Sequence, residues 1–291
     1  MKKRNVKIGL IQMDCPTDNA EVNLKRAVAR IEKLAKKGAQ IICMPELFQT
    51  RYFCQKEDKE LLGLAEKVPG STTRLLGYIA KKHKVVIVAS LYEEHAGHHF
   101  NTVAVIDADG KFLGKYRKMH IPDDLKNYYG EAFYFEKGDL GFKTFKTKYA
   151  TIGTLVCWDQ WFPEAARATA KKGAEIIFYP TSIGYQLVDK YGIAEDEHVA
   201  WQTIQNSHAI ANNVFIAACN RVGLEDKLNF WGTSFVCDPF GRVLAKAPVD
   251  AEADLIVDCD LSLIPQMRND WPFLDYQKEL KKHHKKNVYE V

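Results

Sequence analysis

The stretches KKGAQIICMP (36–45) and KKGAEIIFYP (171–180) are near copies of each other in the two halves of the chain. In each copy a polar helix-like end stops at a glycine, and an apolar run typical of a strand buried on both faces follows. Two further pairs extend the match: VVIVAS (85–90) with VFIAAC (214–219), and NTVAVIDADGKFLGK (101–115) with GTSFVCDPFGRVLAK (232–246). The repeat predicts two similar α/β halves around a pseudo-twofold axis. Because each half needs helices on one face of its sheet only, we expect a four-layer α-β-β-α sandwich.

The residues before the first copy predict the opening elements of this fold. VKIGLIQM (6–13) is strand-like, and apolar residues at helical spacing follow it. Asp18, with Glu21 three residues later, predicts a capping box at the start of that helix, and Gly38 ends it. We expect one domain over residues 1–270. The basic, polar tail over residues 271–291 lies outside the repeat and is expected to be either a solvated tail or a contact with another subunit.

Composition restricts the classes of function. With 46% hydrophobic and 27% charged residues the chain is typical of globular proteins, and a net charge of +4 does not predict nucleic acid as a partner. The stretch from His198 to Asn220 lacks Asp, Glu, Lys and Arg but carries several amide side chains, so no membrane span is expected. No export signal is visible, and the seven cysteines form no CxxC pair. These features predict reduced thiols in a cytoplasmic enzyme that acts on a small molecule.

Three segments that the repeat does not duplicate carry the chemistry: PELF (45–48), KYRKMHIP (115–122) and CWDQWFPE (157–164). Each follows a strand-like run, and strand-end loops of α/β sheets face the crevice where ligands bind. Taken singly, Glu46 reads as a helix cap, Lys118 as a solvated face and Cys157 as packing. Together they predict a carboxylate, an ammonium and a thiol in one site. The free amides of a strand-turn-helix elbow and the ammonium would lower the thiol pKa.

In this order, the three segments resemble the signature segments of the nitrilase (carbon-nitrogen hydrolase) superfamily, over roughly residues 5–270. The resemblance implies the α-β-β-α sandwich already expected from the repeat. It also implies Glu46 as general base and acid, Lys118 as stabiliser of the tetrahedral intermediate, and Cys157 as nucleophile. The N–H of Trp158 would complete the oxyanion site, and Glu131 would be the supporting glutamate. The resemblance implies no metal or organic cofactor. It implies a dimer or higher homo-oligomer, in which the tail over residues 271–291 contacts a neighbouring subunit.

The residues after the nucleophile indicate the substrate class. Trp158 to Trp161 form an acidic and aromatic wall that suits a primary ammonium. CWDQWFPEAARA (157–168), YPTSIG (179–184) and CNRVG (219–223) resemble N-carbamoylputrescine amidases, which implies hydrolysis of N-carbamoylputrescine to putrescine, carbon dioxide and ammonia. Substrate contacts are predicted at four positions: Asp159, Trp161, Tyr185 and Glu195.

One departure from that pattern leaves the ammonium partner open. The related amidases carry an acidic residue two positions after the glycine of YPTSIG, where this chain has Gln186. The acidic run from Glu195 to Glu197 is a candidate replacement, and a solvated helix N-terminus is the alternative interpretation of the same run.

Other functions compete with this prediction. The same three residues would serve an ω-amidase, an aliphatic amidase or a β-ureidopropionase-like enzyme, and a binding protein of the same fold would have no activity. HAGHH (95–99) offers imidazoles for a metal, but it reads as a hairpin turn without partnered ligand spacing, so no metal site is predicted.

Overall fold

The computed structural model describes residues 3–188 and 192–274. The strands are β1 (Asn5–Gln12), β2 (Ile41–Cys43), β3 (Glu66–Lys67), β4 (Val86–His95), β5 (His98–Ile106), β6 (Phe112–Arg117), β7 (Thr144–Lys146), β8 (Thr151–Thr154), β9 (Ile176–Thr181), β10 (Gly184–Gln186), β11 (Phe215–Asn220), β12 (Val222–Glu225), β13 (Leu228–Trp231), β14 (Phe235–Cys237), β15 (Val243–Lys246) and β16 (Ala253–Asp260). The helices are α1 (Ala20–Lys36), α2 (Ser71–His83), α3 (Pro163–Lys171), α4 (Ala194–Asn212) and α5 (Leu263–Asp270).

Two large mixed sheets have the same strand pattern. The first runs β16-β1-β2-β4-β5-β6, with β3 beside β4, and the second runs β7-β8-β9-β11-β14-β15. Along each path the outer pairs are antiparallel, and the two inner pairs, β1-β2-β4 and β8-β9-β11, are parallel. The repeated segments occupy equivalent strands, which confirms the predicted fold class.

The sheets stack face to face because their strands carry apolar side chains on both faces. Successive residues of a strand point to opposite faces. In β2, Ile41 and Cys43 belong to the core shared with the second sheet, whereas Ile42 packs with residues of α1 and α2. Val86 and Ile87 of β4 divide in the same way. Burying each such side chain contributes about 1.5–3 kcal/mol, so both interfaces of the sheet stabilise the sandwich.

The boundaries of α1 differ slightly from the prediction. The N-cap is Asn19, whose side chain accepts hydrogen bonds from the N–H groups of Glu21 and Val22, so the predicted capping role of Asp18 is wrong by one residue. Gly38, with φ +92°, ends the helix as expected.

Two features lie beyond the repeated sheets. Within residues 3–188 and 192–274, a small sheet, β10-β13-β12, occurs in the second half and has no counterpart in the first. HAGHH forms the β4-β5 hairpin, and there His98 bonds Glu136. In residues 3–188 and 192–274 no helix is long and apolar enough to cross a membrane. Most of the predicted tail contact, from residue 275 onward, lies outside the described residues.

Candidate active site

Glu46 lies in the turn after β2 and is fully buried. Its Oε1 accepts hydrogen bonds from Lys118 Nζ at 2.9 Å and from Asn101 Nδ2 at 2.7 Å. Its Oε2 is buried and has no hydrogen-bond partner within the described part of the chain. The carboxylate is therefore held by one oxygen, and the other oxygen is available to a reacting group.

Lys118 follows β6 and connects two carboxylates. Its Nζ donates to Glu46 Oε1 at 2.9 Å and to Glu131 Oε2 at 2.6 Å, with all three side chains fully buried. The other oxygen of Glu131 accepts a hydrogen bond from the Tyr52 hydroxyl at 2.7 Å. The three side chains that the family resemblance assigned to base, ammonium and support thus form one hydrogen-bonded group.

The charges in this group shift the pKa values of its members. Burial raises the pKa of Glu131 to about 7, with Lys118 opposing the shift and Glu46 adding to it. Burial alone would lower the pKa of Lys118, but Glu131 and Glu46 raise it well above its usual value. Lys118 therefore keeps its positive charge at neutral pH, because two neighbouring carboxylates stabilise its ammonium form.

Cys157 lies at a sharp strand-to-helix turn. Two residues separate it from the end of β8, and its φ is +40°. It begins a short 3₁₀ helix over Cys157–Trp161, and Pro163 then starts α3. A positive φ at a non-glycine residue costs about 1–3 kcal/mol and is typical of functional turns. The thiol approaches the carbonyl oxygen of Ser182 at 3.9 Å. The N–H of Trp158 is in the first turn of the helix, where N–H groups have no partner inside the helix.

The pKa of the Cys157 thiol differs from the expectation. Burial raises it well above its usual value, the charge of Glu46 adds to this effect, and Lys118 opposes it. The predicted lowering of this pKa is wrong because burial and a neighbouring carboxylate outweigh the single ammonium. The thiol is therefore protonated at neutral pH, and its attack requires a base.

Asp159 is fully buried and connects two segments of the site. Its Oδ2 accepts hydrogen bonds from Tyr116 Oη at 2.8 Å and from the N–H of Val156 at 2.9 Å. Its Oδ1 bonds the N–H and the Nδ1 of His120 at 3.1 and 2.6 Å. Tyr116 and His120 lie on either side of Lys118, and Val156 precedes Cys157. The predicted substrate contact of Asp159 is thus replaced by contacts within the protein.

A cavity of about 180 Å³ opens over Cys157. Its lining combines the thiol with carboxylates, indole rings and main-chain groups of the small sheet. The lining residues are Pro122, Asp124, Asn127, Tyr129, Glu131, Cys157, Trp158, Trp161, Ile183, Gly184, Gln186 and Glu197. Trp158 and Trp161 thus reach the cavity, as predicted for the wall after the nucleophile.

Two other predicted substrate contacts are not among the lining residues. Tyr185 projects to the opposite face of β10 from its neighbours Gly184 and Gln186, because side chains alternate along a strand. Its hydroxyl lies 3.2 Å from His198 Nδ1, and its ring packs on Trp231. Glu195 is exposed in the first turn of α4, and Glu197, two residues later, reaches the cavity.

Several site residues were not predicted. Asn101, Tyr52, Asp124 and Tyr129 are polar residues outside the three signature segments. One signal was present for Asn101: it opens the repeated segment NTVAV, and the corresponding position of the second copy is Gly232. The second copy has no side chain at this position, so the repeated fold does not require the amide of Asn101.

Comparisons with known proteins show the family of the chain. The Carbon-nitrogen hydrolase family matches residues 7–269, and the chain belongs to this family, the nitrilase superfamily. It is 43% identical over 279 residues to an N-carbamoylputrescine amidase of Solanum lycopersicum, covering 93% of this chain and 91% of the relative. A citrullinase of Francisella tularensis is 39% identical, with 95% and 96% covered. The crystal structure of a carbon-nitrogen hydrolase from Helicobacter pylori G27 matches with a TM-score of 0.88 at 37% identity, covering 95% of this chain and 98% of that one.

Proposed function

We propose that this hydrolase cleaves the ureido group of N-carbamoylputrescine, releasing putrescine, carbon dioxide and ammonia. The observation that carries the proposal is the lining of the cavity over Cys157. It contains the carboxylates Asp124 and Glu197 and the indoles of Trp158 and Trp161, and no Lys, Arg or His is among the described residues that line it. Such a lining attracts an ammonium and repels a carboxylate.

The proposed chemical steps use the side chains of Glu46, Lys118 and Cys157. The unpaired Oε2 of Glu46 accepts the thiol proton while Cys157 Sγ attacks the ureido carbon, and the charge on the oxygen is stabilised by Lys118 and the Trp158 N–H. A carbon–nitrogen bond then breaks, and Glu46 returns the proton to the departing nitrogen. Water, activated by Glu46, hydrolyses the resulting thioester-type intermediate, which frees the thiol and releases a carbamic acid. The carbamic acid then loses carbon dioxide, so that its remaining nitrogen leaves as the second amine.

The names of the relatives support a ureido substrate. N-carbamoylputrescine carries its ureido group on a four-carbon chain that ends in a primary amine. Citrulline carries its ureido group on a three-carbon chain that leads to the carbon bearing its amine. Citrulline, however, also carries a carboxylate, which the acidic lining disfavours. The carboxylate-bearing substrates of an ω-amidase or a β-ureidopropionase are disfavoured for the same reason.

A substrate panel tests the proposal. Ammonia release is measured from N-carbamoylputrescine, citrulline, N-carbamoyl-β-alanine and glutaramate, with Cys157→Ala as the blank. We expect the highest kcat/KM for N-carbamoylputrescine, by about tenfold or more. Its ammonium can form a charge-assisted contact with the acidic lining, whereas the carboxylate of each other substrate is repelled by that lining. A higher kcat/KM for citrulline or glutaramate would overturn the assignment of the substrate. No turnover of any substrate would favour a binding protein.

A further inference from the structure

Arg221, in the connection between β11 and β12, is fully buried, and all of its hydrogen-bond capacity is used. A guanidinium has five N–H donors. Each of the five has an acceptor at 2.8–3.2 Å: Nε bonds Ser182 Oγ, Nη1 bonds the Thr50 carbonyl and Glu225 Oε1, and Nη2 bonds the carbonyls of Glu46 and Leu47.

Three of these acceptors are carbonyls of the turn that carries Glu46. Leu47, the next residue, has φ +49°, a conformation that persists in a non-glycine residue only when its surroundings fix it. Two further contacts fix the same turn, because Ser182 Oγ donates to the Glu46 carbonyl and Ser90 Oγ accepts from the Leu47 N–H. Arg221 comes from the second half of the repeat and Glu46 from the first, so this contact joins the two halves at the site.

The remaining contacts of Arg221 extend to the other members of the site. Ser182, which accepts from Nε, presents its carbonyl to the Cys157 thiol. Glu225 also accepts a hydrogen bond from the Tyr52 N–H, and the Tyr52 hydroxyl bonds Glu131. The hydrogen bonds of the Arg221 guanidinium therefore lead to groups that contact Glu46, Glu131 and Cys157.

We propose that Arg221 is a positioning residue that aims the free Oε2 of Glu46 by fixing the main chain on either side of it. The inference rests on the proposed role of Glu46 as the base. Lysine cannot replace Arg221, because its three donors sit on one nitrogen and cannot reach acceptors on opposite sides of a planar group.

Arg221→Lys tests the proposal, with Arg242→Lys as the matched control because the Arg242 side chain is exposed and its described contacts, to Asp238 and the Phe240 ring, lie away from the site. For folded Arg221→Lys we expect kcat to fall about 100-fold and KM to stay within about threefold, since a misplaced base impairs chemistry more than binding. Inactivation of Cys157 by iodoacetamide at pH 7 should slow about tenfold or more, because the thiol loses its base. Loss of folded protein alone would lower the apparent kcat at unchanged KM, but it would expose the buried thiols and speed their alkylation, so slower inactivation distinguishes the positioning role.

The outcomes separate this inference from the proposed function. If Glu46→Gln is inactive and folded Arg221→Lys keeps kcat within about threefold, the role of Arg221 is overturned while the base remains. If Glu46→Gln keeps full activity, the proposed mechanism fails first. Should Arg221→Lys not fold, Ser182→Ala removes the Nε acceptor and one bond to the Glu46 carbonyl. We expect this variant to fold but to melt several degrees below the wild type, because Arg221 Nε loses its buried acceptor, and we expect kcat per folded enzyme to be about tenfold lower. An unchanged kcat would contradict the proposal.

Discussion

Replacing Asp159 by asparagine changes one atom and should destabilise the junction between the nucleophile turn and the Lys118 segment. The buried carboxylate accepts four hydrogen bonds, two on each oxygen. The asparagine oxygen can keep one pair of donors. Its NH₂ group then faces the other pair, and each pair contains a main-chain N–H that cannot become an acceptor.

The cost follows from that count. A hydrogen bond to a charged group contributes about 1.5–3 kcal/mol, and a buried N–H without a partner costs about 1–3 kcal/mol. Since Asp159→Asn removes one main-chain bond and weakens the others, we expect a loss of about 3 kcal/mol in the free energy of unfolding. For a chain of this size, that loss lowers the melting temperature by roughly 6–12 °C.

Scanning calorimetry of Asp159→Asn beside Asp258→Asn measures the effect. Asp258 is exposed on β16 and provides the same chemical change without buried partners. The control should melt within about 2 °C of the wild type, as most exposed substitutions do. If Asp159→Asn also melts within about 2 °C of the wild type, the reasoning about buried acceptors is refuted.

Three further outcomes are expected. Because the folded pKa of Glu131 is raised to about 7 from the usual 4.5, the folded state holds this proton more tightly, so wild-type stability should decrease as the pH rises from 4.5 to 7. Melting curves of Glu131→Gln should lack this component, and an unchanged slope would contradict the burial argument. Iodoacetamide should label Cys157 before the other thiols at a rate still increasing at pH 9, because burial raises the thiol pKa well above 9.0, and mass spectrometry locates the label. A plateau near pH 7 or first labelling of Cys54 would count against this. Glu197→Gln should raise KM for N-carbamoylputrescine about tenfold or more through loss of a charge-assisted contact, whereas exposed Glu195→Gln should not, and equal KM values would remove Glu197 from the site.

The fold could be predicted because duplication leaves two copies of one pattern in the sequence. The matched strands IICM and IIFY define equivalent places in the two sheets, and the three segments that break the repeat gave Glu46, Lys118 and Cys157. Periodicity and repetition can be seen in the sequence itself. They require no knowledge of how the halves pack.

The direction of individual side chains could not be predicted in this way. Asp159 follows the nucleophile by two residues, but the tight 3₁₀ turn carries its carboxylate back toward His120. The choice between Glu195 and Glu197 depends on the rotation of α4. The raised pKa of Cys157 depends on burial between two sheets, since opposing effects of Glu46 and Lys118 are decided only by three-dimensional placement.

The central claim, that Cys157 forms a covalent intermediate with a ureido substrate, can be tested by trapping that intermediate. N-carbamoylputrescine with a ¹³C-labelled ureido carbon is mixed with the enzyme and with Glu46→Gln, the reaction is quenched in acid, and the peptides are analysed by mass spectrometry. In the enzyme we predict the label on the peptide that contains Cys157 and on no peptide that contains another cysteine, and in Glu46→Gln we predict little or no label because the thiol lacks its base. Full turnover by Cys157→Ala, or label on another residue, would contradict the account.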